Sequence, residues 1–315
     1  MTAKRILKQL TPERVKKELA EVQAVELPAD LQKWIKEYEK VGDRDPFIWK
    51  WAYRGWEICT LPCVDDAYKE KILFLKMLNT MLNVLIDDIA DIAQDQALLE
   101  KAIAIIFNNR KKHSDEYLNL IAKIWTKINQ EIRELPRFLE FKDIFYFDYY
   151  QFVGTIKYSC LLNNCHHLIN HFEQNFYTAH NMQGVIGITI DLMASPSFKI
   201  KELAVTREIA YKLERMGRIG NIIGTWQNEL KNKDFTNDMF SFLIEKKKIA
   251  IRDIQNLSNK EIQAIEKYFL KEWGLLSNSL SKKFKNKFYS FNFQDILISA
   301  HKFLTMHLIS KNKEI

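Results

Sequence analysis

Glycine and proline are both scarce, 9 and 6 among 315 residues. Tight turns draw on these two residues, and a large all-β protein needs many of them. Long helices with few turns are expected instead. No run of about 18 apolar residues occurs, so no membrane-spanning helix is expected. The chain is charged from Lys4 onward and lacks the apolar core of a signal peptide, so a cytoplasmic protein is expected. Cysteine is limited to four residues. Cys59 and Cys63 form a CxxxC rather than the CxxC of common zinc sites. Cys160 and Cys165, near His166 and His167, read as mid-helix sequence. Buried free thiols are therefore expected in place of a Cys/His metal site. The net charge is +7, which suits anionic partners such as diphosphates, lipid headgroups or nucleic acid. The basic residues are scattered and form no dense tract, as on a solvated surface, so a nucleic-acid partner is not expected.

Aromatic residues are plentiful: 20 Phe, 12 Tyr and 7 Trp. They fit either a large core or an aromatic-walled cavity suited to a cation. Apolar periodicity gives helices over most of the chain. Thr11-Pro12-Glu13 is a helix start, with Thr as N-cap and Pro at the first position. Pro28 breaks that helix, and residues 42–46 form a turn. A long segment over 66–93 is apolar on most sides between Leu73 and Ile86, as expected of a central buried helix. Further helices are expected over 96–108, 117–135, 142–176, 180–194, 201–231, 237–256, 260–281 and 291–311. No repeat, low-complexity linker or Gly/Ser hinge interrupts them, so one all-α domain over residues 1–315 is the simplest organisation.

Two polar constellations stand out. Asp87-Asp88-x-x-Asp91 ends the apolar run abruptly. Asp87 and Asp91 lie one turn apart on one helix face, Asp88 sits beside Asp87, and Asp95 continues the row. Carboxylates this close repel one another. They read either as a solvated helix end or as oxygen ligands for a hard cation at a cavity mouth. The second constellation is Asn221, Thr225 and Glu229, recurring every four residues along one helical stripe. An amide oxygen, a hydroxyl and a carboxylate so placed can chelate one Mg2+, and the bland alternative is a polar helix face. Gly217, Gly220 and Gly224 weaken that helix and permit close packing or ligand approach.

Together these motifs resemble the two metal motifs of class I terpene synthases. The match is to Asp87, Asp88 and Asp91, then to Asn221, Thr225 and Glu229. The resemblance implies a helical bundle around a central apolar cavity, the class I terpenoid synthase α-domain. It also implies Mg2+-dependent ionisation and cyclisation of an acyclic or pre-cyclised isoprenyl diphosphate, with the first motif holding two Mg2+ and the second a third, and Mn2+ as a substitute. A homodimer is common among similar proteins. Prenyltransferases of the same fold usually carry a second Asp-rich motif, which this chain lacks. Residues 177–184 stand where the family has a diphosphate-sensing arginine and a helix break. No Arg occurs there. His180 and Asn181 take its place, with Gly184 and Gly187 to permit the break. The segment resembles that of some bacterial diterpene synthases, which favours geranylgeranyl diphosphate (C20) over farnesyl diphosphate (C15). Lys302-Phe303 replaces a C-terminal Arg-Tyr pair. Arg218, His180, Asn181 and Lys302 are thus the expected diphosphate contacts. For Arg218 the alternative is an ion pair with an acid such as Glu214 or Asp91. His180 and Asn181 are also candidate terminal bases. Trp56, Phe74, Tyr150, Tyr158 and Trp226 are candidates for the cavity wall, each equally readable as core.

Overall fold

The computed structural model describes residues 10–108, 115–284 and 289–311. The charged start at Lys4 lies outside them. The described residues contain helices and no strand. Helix α1, Pro12–Gln23, starts as its sequence predicts: Thr11 Oγ1 accepts a hydrogen bond from Arg14 N at 3.3 Å and proline occupies the first turn. Helices α2 (Ala29–Tyr38) and α3 (Phe47–Cys59) follow, separated by the turn at 42–46. Helix α4, Lys69–Asp88, is the buried centre. Its Leu75, Leu78, Met81, Leu82 and Leu85 are wholly inaccessible, which accounts for an apolar run without a clean polar face.

Helices α5 (Gln96–Asn108), α6 (Glu116–Arg133) and α7 (Phe138–Asn164) form the next part of the bundle. The single helix expected over 142–176 is in fact two. Residue 164 ends α7, and α8 (His171–Tyr177) restarts after Asn170, whose side chain accepts from Glu173 N at 2.8 Å. That N-cap, and the local bonding preferred by Asn, explain the interruption. Helix α9 is Gly184–Met193, α10 is Leu203–Lys231 and α11 is Asp238–Lys247. The expected helix over 237–256 likewise stops early, at Lys248 in left-handed backbone (φ 56°). Helix α12, Asn259–Phe284, opens with a capping box in which Ser258 N donates to Glu261 Oε2 at 2.9 Å. Helix α13, Phe293–Ile309, closes the described chain.

One contiguous hydrophobic core joins these elements. Helix α4 packs on α3, α6 and α9, while α10 packs on α9, α12 and α13. Between them lies a cavity of about 340 Å³, lined from α3, α4, α9, α10 and α13. No described helix is long and apolar enough to cross a membrane.

Candidate active site

Helix α4 does not run straight out of the core. It passes into one π-helical turn, Ile89–Ala93, closed by Gln94 in left-handed backbone (φ 52°). Such a turn re-aims the side chains that follow it. Asp87 and Asp91 both line the cavity, and their carboxyl groups stand within hydrogen-bond reach of one another. Asp88 does not line it. Its Oδ1 accepts from Arg44 Nε at 3.0 Å and Nη2 at 2.5 Å, so this member of the motif is committed to an ion pair with the turn before α3.

The second motif meets the first across the cavity mouth. Asn221, Thr225 and Glu229 all line it from α10. Thr225 Oγ1 donates to Glu229 Oε1 at 2.7 Å, and Asn237 Nδ2 donates to Glu229 Oε2 at 2.5 Å. Asp234, which neither motif contains, joins the same rim. Burial pushes the carboxyls of Asp87, Asp91, Glu229 and Asp234 up, and neighbouring negative charge adds to this at the first three. Glu229 rises to about 7 with Asp234 beside it, and Asp91 rises well above the usual range beside Asp234 and Asp87.

This donor set fits divalent cations. The ligands are all oxygen, as Mg2+ requires, and Asp87, Asp91, Glu229 and Asp234, all pushed up by burial, form no ion pair with any described residue. Among the described residues, no three His, Cys, Asp or Glu side chains are already arranged to hold a metal ion. The carboxylates are instead turned to neighbouring amides and hydroxyls, as Asp87 is to Asn181 Nδ2 at 2.9 Å. A metal would take over oxygens that now accept these bonds. The four cysteines form no disulfide, and burial raises the Cys59 thiol to about 12, which leaves it protonated.

The expected diphosphate contacts divide. Arg218 is 4% exposed and lines the mouth. Its Nη1 donates to Asn221 Oδ1 at 2.8 Å and its Nη2 to the Thr236 carbonyl at 2.8 Å. Its acidic partner is Asp238, at 3.4 Å, rather than Glu214 or Asp91. Nε has no partner. Asn181 lines the cavity beside Asp87. His180 does not: its Nδ1 lies 2.8 Å from Glu214 Oε2, pinning this segment to α10. Lys302 is exposed and outside the cavity, because the α13 face turned inward carries Phe303 and His307. The helix break falls at Gln183 (φ 52°), not at Gly184 or Gly187, which both lie in α9. Asn79 Nδ2 on α4 donates to Gln183 Oε1 at 2.9 Å, and Asn83 Nδ2 donates to the Asn181 carbonyl at 2.9 Å. These long-range bonds hold the strained residue.

Of the five candidate wall aromatics, Trp56 lines the cavity. Tyr150 is 59% exposed and stacks on Phe107. Phe74, Tyr158 and Trp226 pack elsewhere. Trp51, Phe303 and His307 were missed. They form a wall in which His307 packs edge-on to both other rings and Trp51 lies tilted on Phe303, with ring centroids 4.7 to 5.7 Å apart. Their signal was the aromatic run of α3 and the inward face of α13. Arg44 was missed as well, and it lines the mouth.

His307 is 4% exposed, and burial lowers its pKa to about 3. The unfolded chain takes up a proton near 6.5 and the folded one does not, so acid favours unfolding between those values. Stability is expected to be about 1 kcal/mol lower at pH 5.5 than at pH 7.5 from this residue alone. In denaturant titrations across that range, His307→Gln should flatten the slope, and an unchanged slope would refute the assignment.

No protein-family model matches this chain, and no curated protein matches it.

Proposed function

We propose that this chain is a class I terpene synthase that ionises an acyclic allylic isoprenyl diphosphate and cyclises the resulting cation. One observation carries the reading. Two motifs far apart in sequence present Asp87 and Asp91 opposite Asn221, Thr225 and Glu229 at one mouth, above a cavity walled by Trp51, Trp56 and Phe303. Mg2+ held by these oxygens would supply positive charge to the departing diphosphate.

The remaining work falls to the protein. Arg218, buried at the rim with one N–H unspent, adds a fixed cation on the leaving-group side. Arg44 adds a second from the turn before α3, held by Asp88. Below the rim, Leu61, Ile188, Leu213 and Met216 line an apolar space that keeps water from the cation. The faces of Trp51, Trp56 and Phe303 offer π-density to it. The substrate we assign is geranylgeranyl diphosphate, on the resemblance of residues 177–184 to diterpene synthases.

The purified chain should convert that diphosphate to a hydrocarbon or alcohol extractable into hexane, in the presence of Mg2+ and not of EDTA. Gas chromatography with mass spectrometry reads the product. Turnover of farnesyl diphosphate alone would replace the C20 assignment. Turnover only with added isopentenyl diphosphate would make the protein a prenyltransferase. Silence with every allylic diphosphate would reject the class.

The wall makes a second expectation specific. Trp56 Nε1 donates to Thr80 Oγ1 at 2.8 Å, and a Cβ on Gly187 would fall 2.7 Å from the indole Cζ3. Gly187→Ala therefore drives the ring off its seat. Turnover should fall by about 10- to 100-fold and the product profile should change. An identical profile at full rate would remove Trp56 from the wall.

A further inference from the structure

The chain folds back where α10 ends. Lys233 takes left-handed backbone (φ 58°), and Asp234 N donates to the Glu229 carbonyl at 2.9 Å. Asp234 is thereby set beside the last residue of the second motif. It is 8% exposed and lines the cavity. Its Oδ1 accepts from Thr236 N at 2.9 Å and from Asn163 Nδ2 at 3.2 Å. The Thr236 side chain also bonds this carboxyl. The same Asn163 Nδ2 reaches Asp91 Oδ1 at 3.3 Å, and Asn163 Oδ1 accepts from Phe235 N at 2.9 Å. One side-chain amide, carrying two N–H groups, thus bridges a carboxylate of the first motif and one that belongs to neither.

Asp148, Asp191 and Asp238, all buried acids, are each neutralised by a cation. Asp148 takes two bonds from Arg207, at 2.6 and 3.0 Å, and Asp238 is paired with Arg215 at 2.5 Å. Asp234 forms no ion pair with any described residue. A buried carboxylate that lines a cavity next to two more carboxylates, with no ion pair of its own, is costly unless more positive charge arrives from outside the chain. The charge of Arg218 acts on Asp234 from a distance, but Arg218 forms no ion pair with it: its two Nη atoms are spent on Asn221, Thr236 and Asp238.

We propose that Asp234 is a further ligand of the divalent-cation site, reaching the same ion as Asp91 and held in place by Asn163. The proposal rests on reading the mouth as a Mg2+ site. Asp234 then links the two motifs, since it follows α10 and meets Asp91, in the middle of the π turn that follows α4. Asn163 is a positioning residue in this arrangement.

The test is metal binding by the full chain, read without turnover. Manganese chloride with inorganic diphosphate is titrated into wild type, Asp234→Asn and Asp91→Asn, and free Mn2+ is counted by electron paramagnetic resonance. Melting temperature is recorded with and without MgCl2. For Asp234→Asn we expect Mn2+ affinity at one site to weaken about tenfold or more. Its metal-free melting temperature should equal or exceed that of wild type, because a repelling charge is gone. The metal-induced rise in melting temperature should shrink. A structural role predicts the reverse: lower metal-free stability with the metal-induced rise intact, and that result overturns the proposal. If Asp91→Asn loses Mn2+ while Asp234→Asn binds as wild type does, this inference fails and the site reading stands. If neither variant differs from wild type, both fail. Should the Asn variant misfold, Asp234→Ser gives the same readings.

Discussion

Asp91→Asn is expected to lower turnover of the allylic diphosphate by about 10²- to 10³-fold while leaving the fold intact. The carboxyl is 7% exposed, lies within hydrogen-bond reach of Asp87 and is raised by Asp234 beside it. Its only side-chain donor among the described residues is Asn163 Nδ2, at 3.3 Å. The replacement amide keeps an oxygen for that bond and removes one charge from a crowded set. The metal-free protein should therefore melt no lower than wild type. What is lost is a charged ligand oxygen at the mouth. Asp88→Asn makes the contrast. Asp88 is spent on Arg44 and does not line the cavity, so its substitution should cost turnover less and stability more. The check is product formation at saturating substrate, with melting temperatures recorded in EDTA. Equal turnover losses in the two variants would mean that Asp88 acts as a ligand after all. Wild-type turnover in Asp91→Asn would remove the first motif from the chemistry.

Helix α4 and its acidic end are legible in the sequence because a helix buried on all sides has no reason to change chemistry within one turn unless it leaves the core. The row on α10 is legible through its four-residue period. The π turn at Ile89–Ala93 is not, since it adds one residue to a helix without any residue type that marks it. The break before α9 was expected at a glycine because φ > 0 is cheapest there. It is placed at Gln183 because Asn79, more than a hundred positions earlier, holds that side chain. Asp234 escaped for a related reason: it enters the site through a reverse turn, and no helical period connects it to Glu229. Lys302 is singled out only by analogy with a pair of residues, whereas the inward face of α13 is set by packing on α10. There a Cβ on Gly220 would meet His307 Cδ2 at 2.7 Å, so the glycine records the close approach and Lys302 is left outside.

A buried pair at the side of the cavity carries the largest stability effect. Lys76 on α4 and Asp191 on α9 are both wholly inaccessible, with Nζ 2.6 Å from Oδ1. Lys76 Nζ also donates to Thr60 Oγ1 at 3.1 Å and lies 5.2 Å from the Trp56 ring centroid. Asp191 Oδ2 accepts from Leu61 N at 2.9 Å. The pair thus ties α4 and α9 to residues 59–62, which form part of the cavity wall. Lys76→Met fits the space but strands the carboxylate, at an expected cost of about 3–5 kcal/mol at pH 7. Burial already raises the Asp191 carboxyl, and Lys76 is the charge that opposes it. Without Lys76 the folded chain should hold a proton on Asp191 that the unfolded chain gives up near 3.9. Folding then binds protons, so the deficit should shrink as pH falls from 7 towards 4. Adding Asp191→Asn removes the stranded charge and keeps an oxygen for Leu61 N, so the double variant should recover part of the loss. Urea denaturation of the two variants at pH 7 and pH 5 decides it. A single variant within 1 kcal/mol of wild type at pH 7 would mean that the wall beside Trp56 is held by apolar packing alone. In that case Trp56 is seated by Thr80 and its apolar neighbours, and the pair is no part of what shapes the cavity.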